Sequence, residues 1–223
     1  MSAIECFYSA QGKFYRSPKG TVHPSLGMVC SEITKEDFSF VGIESLERAI
    51  LLGEAAHDVC CQYSLMVLKH LDGVRLPPMP AGFPGGNALA WDEAMRHALM
   101  QVHQLFERYA VEPVAVEETA LCSQYGFGGQ PDFLCHMKWK GRRILAVWDY
   151  KRVAALSKSH QLKLEGYRML DSFIDTKAGF IAWLKRDGPA QLHQVIPNGA
   201  DKAAICGMAG VLNWRISNRI LVP

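Results

Sequence analysis

The 223-residue sequence has no apolar run near the roughly 20 residues that a helix needs to cross a bilayer. Its opening, Met1-Ser2-Ala3-Ile4-Glu5, lacks the basic n-region and apolar h-region of a secretory signal. No membrane association is expected, and the expected location is the cytoplasm. No C-x-x-C pair occurs among the seven cysteines, Cys6, Cys30, Cys60, Cys61, Cys122, Cys135 and Cys206. That odd, scattered set excludes a disulfide framework and a four-thiolate zinc or iron–sulfur site, so the thiols are expected to be reduced and mostly buried. Internal repeats and low-complexity tracts are absent too. The glycines of Gly126-Phe127-Gly128-Gly129 lead to a strand end and not to a helix N-terminus. They therefore form no phosphate cradle, which counts against a hydrolase of small phosphorylated substrates.

Net charge is also scarce, at +2 from 24 Lys and Arg against 22 Asp and Glu. Its distribution is uneven. Nine basic residues stand against Asp149 and Glu165 between His136 and Leu170, a local +7, which leaves −5 for the remainder. A basic segment on a mildly acidic body suits a surface that meets phosphates.

What is present is a chain with 49% hydrophobic residues, enough for a sizeable core. Residues 1 to about 41 show no clear period and read as an irregular or short-strand stretch. Apolar positions at helical spacing predict a helix from Ile43 to about Leu71 and another from about Ala88 to Tyr109, separated by a Pro/Gly loop over 77–86. Three strands follow, Val114 to Cys122, Gln130 to Trp139 and Arg143 to Tyr150, the last two joined by a tight turn at Lys140-Gly141. A helix capped by Ser157 or Ser159 is expected to reach about Phe173. Strands over 179–184 and 191–196 and a helix from Asp201 to about Ile216 complete an α, α, β-β-β, α, β, β, α order.

Pro131-Asp132 precedes one strand of the predicted hairpin, and Asp149-Tyr150-Lys151 ends the other. Two carboxylates at adjacent strand ends converge on one point and supply the hard oxygen donors of a Mg²⁺ site. Lys151 is two residues beyond Asp149, so both side chains point to one face, where the ammonium orients or deprotonates a water. Gly53, one turn before His57, clears a side chain from the same helical face. An imidazole beside two carboxylates suits Mn²⁺ at least as well as Mg²⁺. Only one of Glu117 and Glu118 on a strand can face such a site. Cys135 and His136, adjacent on a strand, point to opposite faces and make no thiol-protease dyad. Tyr125, Phe127, Trp148 and Tyr150 near the cleft are candidates for stacking on bases, although Trp148 reads better as core.

From about Leu46 to Tyr167 the chain resembles the PD-(D/E)xK nuclease superfamily, in particular its RecB-like and phage exonuclease branch. The resemblance is carried by Gly53-Glu54-Ala55-Ala56-His57, Val116-Glu117, Gly126 to Asp132, Asp149-Tyr150-Lys151 and Ser159 to Tyr167. It implies an α+β fold with a restriction-endonuclease-like core, a mixed central sheet flanked by helices and an N-terminal helical part. It implies one nuclease domain over 1–223, with residues 1–112 leading and 113–223 holding the core. His57, Asp132, Asp149 and the Tyr150 carbonyl are then expected to bind Mg²⁺ or Mn²⁺. Lys151 assists the attacking water, with Glu117 and Tyr167 also in the catalytic set. The family's Gln, four residues before the Tyr, is replaced here by Lys163. Gln161 is about 160° away around the helix and cannot substitute, so Lys163 is expected to hold a DNA phosphate. Arg152, Lys158, Arg168 and Gln161 are the other expected DNA contacts. The iron–sulfur cluster of some relatives is not expected, because Cys206 stands alone near the C-terminus.

The implied activity is metal-dependent DNA cleavage, by an exonuclease of phage or bacterial recombination and repair, in the host cytoplasm if phage-encoded. Implied partners are DNA and a recombination or single-strand-binding protein; an oligomer is compatible with the resemblance. The alternative is a non-cleaving nucleic-acid-binding or assembly module on the nuclease fold. The intact carboxylate pair, Lys and His speak against it, since a binder has no need of acids beside a phosphate.

Overall fold

The computed structural model describes residues 3–36, 39 and 41–223, and the opening Met1-Ser2 and part of the expected N-terminal stretch lie outside them. The chain is a mixed α+β protein built on a five-stranded sheet. Three short strands come first, β1 (Glu5–Ser9), β2 (Gly12–Arg16) and β3 (Val22–Pro24), followed by α1 (Leu26–Thr34). The Ser25 side chain accepts from Met28 N to start α1, and a left-handed Lys35 ends it. This helix was not expected. It is short, and Gly27 in its first turn obscures its period.

α2 (Ile43–Lys69) and α3 (Ala88–Tyr109) fall where the apolar period placed them. Glu44 in the first turn and Lys69 in the last suit the dipole of α2, while Asn87 caps α3 by accepting from Ala90 N. The expected first strand is divided. β4 (Glu112–Val116) stops at Glu117, whose φ of 50° turns the chain, and β5 (Ala120–Cys122) pairs instead with β6 (Phe127–Gly129). A left-handed residue leaves the extended region, and here the ladder ends at it.

β7 (Phe133–Trp139) and β8 (Arg142–Lys151) form the expected antiparallel hairpin, with Lys140 and Gly141 both at positive φ. α4 (Lys158–Tyr167) begins at Ser157 and ends six residues early. The Met169 and Leu170 amides donate three residues back, tightening the chain toward a 3₁₀ turn at 171–173. β9 (Ala178–Trp183), β10 (Gln191–Val195) and α5 (Gly199–Ser217) follow.

The main sheet runs β10-β9-β8-β7-β4, antiparallel except for β8 and β9, which are joined through α4. Strand alternation divides the core. Phe133, Cys135, Trp148, Tyr150 and Phe180 pack with α2 and α3 on one face. Leu134, Val147 and Ile181 pack with α1, α4 and α5 on the other. Residues 1–112 thus contribute helices to both faces, α2 and α3 to one and α1 to the other.

Two close approaches depend on glycine. A Cβ at Gly166 would lie 2.3 Å from Leu26, so α4 seats directly on α1, and one at Gly128 would lie 2.3 Å from the Tyr15 ring. The chain ends also meet, with Ser9 Oγ donating to Val222 O and Val222 N donating to Gln11 Oε1. Among the described residues no helix is long and apolar enough to cross a membrane.

Candidate active site

The β7–β8 ladder pairs Phe133 with Trp148, and one step further the same register sets Asp132 opposite Asp149. The two carboxylates thus arrive at one sheet end without any long-range loop. Asp132 is anchored on both oxygens: Oδ2 accepts from Tyr150 N at 2.7 Å, and Oδ1 is 3.1 Å from His57 Nε2. α2 carries His57 to that sheet end, but Gly53 is not what permits it. A Cβ there would make ordinary contact, 3.9 Å from Arg152 O.

The Asp149 side chain is fully buried, and no directed hydrogen bond reaches either of its oxygens. Ion pairing holds it, with Lys151 Nζ at 2.6 Å and Lys163 Nζ at 3.9 Å. Lys151 Nζ also donates to Tyr150 O at 3.1 Å, so an ammonium is bracketed by a carboxylate oxygen and a backbone carbonyl. The Tyr150 phenol points the other way, into the core, where it meets Ser64 Oγ at 2.8 Å.

Burial alone would raise the Asp132 pKa, but Lys151 and His57 outweigh it and hold the carboxyl below its usual range. For His57, burial opposes protonation, and the hydrogen bond and charge of Asp132 reverse the balance, so its pKa rises. Lys163 follows the same pattern, with Asp149 and Asp132 outweighing burial.

The Asp132 end opens into a cavity of about 350 Å³, whose walls include His57, Glu117, Lys163 and Tyr167. Glu117 reaches it from the left-handed turn between β4 and β5. Its N donates to Asp132 O, and its carbonyl accepts from Gln130 Nε2 at 3.0 Å. Tyr167 is buried, with Lys163 Nζ 5.5 Å from its ring centroid.

The opposite wall was missed in the sequence. Lys13 and Tyr15 of β2 line it, and Lys13 Nζ donates to Gln130 Oε1 at 3.2 Å. Gly128 was the available signal, because it marks the point where Tyr15 presses on the loop before Asp132.

The expected DNA contacts do not gather here. Lys158 pairs with Asp201 at 2.5 Å, and Arg168 pairs with Glu165 at 3.1 Å. Arg152 is outside the cavity lining and feels the charges of Arg186 and Asp187, and Arg143 pairs with Glu112 near the far end of the hairpin. Gln161 is half-buried and outside the cavity lining. The basic run of the sequence is therefore dispersed over the hairpin and α4, several of its members paired with acids, and Lys151 and Lys163 are its contribution to the site. Phe127, Trp148 and Tyr150 are sealed in the core and cannot stack on a base. Five of the seven free cysteines are buried, as expected; Cys6 is exposed and Cys206 is half-buried.

Two carboxylates, a backbone carbonyl and an imidazole are the donor types that a hard or borderline divalent cation takes, and the Tyr150 carbonyl and Asp149 already receive positive charge from Lys151. No family model and no curated protein matches the chain. A solved structure, that of SSO0001, is similar at a TM-score of 0.32 and 11% identity, over 84% of this chain and 83% of that one. Likeness at that level carries no argument about fold or function.

Proposed function

We propose that this protein is a divalent-metal-dependent deoxyribonuclease of the PD-(D/E)xK type, with a restriction-endonuclease-like core, acting as an exonuclease in phage or bacterial recombination or repair. The observation that carries the reading is one sheet end at which Asp132, paired with His57 on an open cavity, stands in register opposite Asp149, which is paired with Lys151.

In this reading His57, Asp132, Asp149 and the Tyr150 carbonyl hold Mg²⁺ or Mn²⁺, which when bound polarises the phosphodiester and lowers the pKa of a coordinated water. Lys151 then orients the attacking water and offsets the charge that builds on the phosphorus oxygens. Lys163 stands beside Asp149, where it balances the carboxylate and meets a backbone phosphate from the cavity side. Tyr167 backs Lys163 and fixes where its ammonium sits. Glu117, on the cavity wall, is placed to accept a proton from water. Of the expected backbone contacts, Lys163 alone lines the cavity, and Lys13 takes the place of Arg152, Lys158 and Arg168. The partners are DNA and a recombination or single-strand-binding protein, and the location is the cytoplasm.

The test is degradation of end-labelled linear single- and double-stranded DNA with Mg²⁺ or Mn²⁺. Asp149→Ala and Lys151→Ala should each abolish it. No degradation by the parent protein, or full degradation by either variant, overturns the reading.

A further inference from the structure

His57 and Cys61 are four residues apart on α2 and therefore share a face. Cys61 Sγ is 3.6 Å from His57 Nε2 and 3.9 Å from Nδ1. The left-handed turn at Glu117 adds a third group from another part of the chain. One ligand atom from each of His57, Cys61 and Glu117 lies within 4.8 Å of the others. Cys61 is buried, whereas Glu117 is exposed on the cavity wall, so the cluster has a closed side and an open one.

This donor set differs in kind from the carboxylate pair. Sulfur, nitrogen and a single oxygen suit a borderline-soft cation, while Mg²⁺ demands oxygen in an octahedral shell. Three protein ligands with one open position is also an arrangement that Zn²⁺ accepts. Cys61 binds as the thiolate, its proton passing to solvent as the metal–sulfur bond forms, an exchange that favours a cation with a strong bond to sulfur.

We propose that His57, Cys61 and Glu117 form a second metal site, selective for thiophilic divalent cations of the Zn²⁺ and Co²⁺ class, which shares His57 with the carboxylate centre. Metal binding at this site is read optically, without catalysis and independently of any nuclease activity.

Titration of the full chain with Co²⁺ tests it. The expected result is a thiolate-to-cobalt charge-transfer band that is lost in Cys61→Ser and kept in Asp149→Asn. Glu117 is exposed, so Glu117→Gln should leave the fold intact. It should weaken Co²⁺ binding at least about tenfold, no less than the loss of an outer-shell partner costs at a metal site. Absence of the band in the parent protein, its persistence in Cys61→Ser, or unchanged affinity in Glu117→Gln overturns the site.

Discussion

Asp149 is fully buried between two lysines whose side chains are 17% and 32% exposed, and the two sides of this triad should respond unequally to substitution. At an effective dielectric constant of about 20, separations of 2.6 and 3.9 Å correspond to gross attractions of about 6 and about 4 kcal/mol. Desolvation of the carboxylate, several kcal/mol, offsets much of both. Lys151→Met removes the larger attraction and leaves the buried charge in place. One-sided loss of a buried pair costs about 3–5 kcal/mol, and the surviving Lys163 puts this case near about 3 kcal/mol. Asp149→Asn instead removes the group that suffers the desolvation, and both lysines can turn toward solvent, so the cost should be about 1 kcal/mol or less. For a chain of this length these values correspond to losses of about 6–12 °C and at most about 4 °C in Tm. Thermal unfolding in EDTA, followed by circular dichroism, measures both, and Asp149→Asn placed in the Lys151→Met background should recover most of the larger loss. Equal losses in the two single variants, or no recovery in the double variant, would refute the claim that an uncompensated buried carboxylate governs stability here.

Two further outcomes follow from packing and titration. Gly128→Ala should cost about 1–3 kcal/mol by forcing the buried Tyr15 ring aside, whereas Gly53→Ala, facing only an ordinary 3.9 Å contact, should stabilise α2 by about 0.5–1 kcal/mol; urea unfolding measures both. His160 Nδ1 accepts from Ser157 N, and burial together with the Lys151 charge lowers its pKa below 6.5. The folded state thus binds this proton less readily than the unfolded chain, so the contribution is complete above pH about 6.5 and lost as pH falls through the folded value. His160→Gln keeps a reciprocal cap but cannot titrate, and its stability should fall less steeply than the parent's as pH drops below about 6.5 in a denaturation series.

The central elements were legible because local chemistry alone specifies them. The apolar stripe of α2 and α3 has the helical period, and Lys140-Gly141 sets the hairpin register that brings Asp132 opposite Asp149. Lys163 was legible as a departure from a pattern, but its place on Asp149 depends on how α4 seats against α1 through Gly166. The rest was hidden for the same reason. Glu117 breaks its strand by one backbone angle that no side-chain pattern announces. The charge of residues 136–170 could be counted but not placed, since Lys158 and Arg143 find acidic partners on α5 and β4. The cavity wall at Lys13 depends on a contact between residues 117 apart.

The meeting of the chain ends bears on the order in which the molecule assembles. The Ser9–Val222 and Gln11–Val222 bonds span 213 and 211 residues, so almost the whole chain must be closed before either forms. Closure of so long a loop yields little local reward, and contacts of this separation form late. The β1–β2 hairpin, largely exposed along β1, is then the last unit to dock and the first to open, ahead of the β7–β8 strands of the main sheet. Amide exchange should register this as weak protection in β1 beside strong protection in β8.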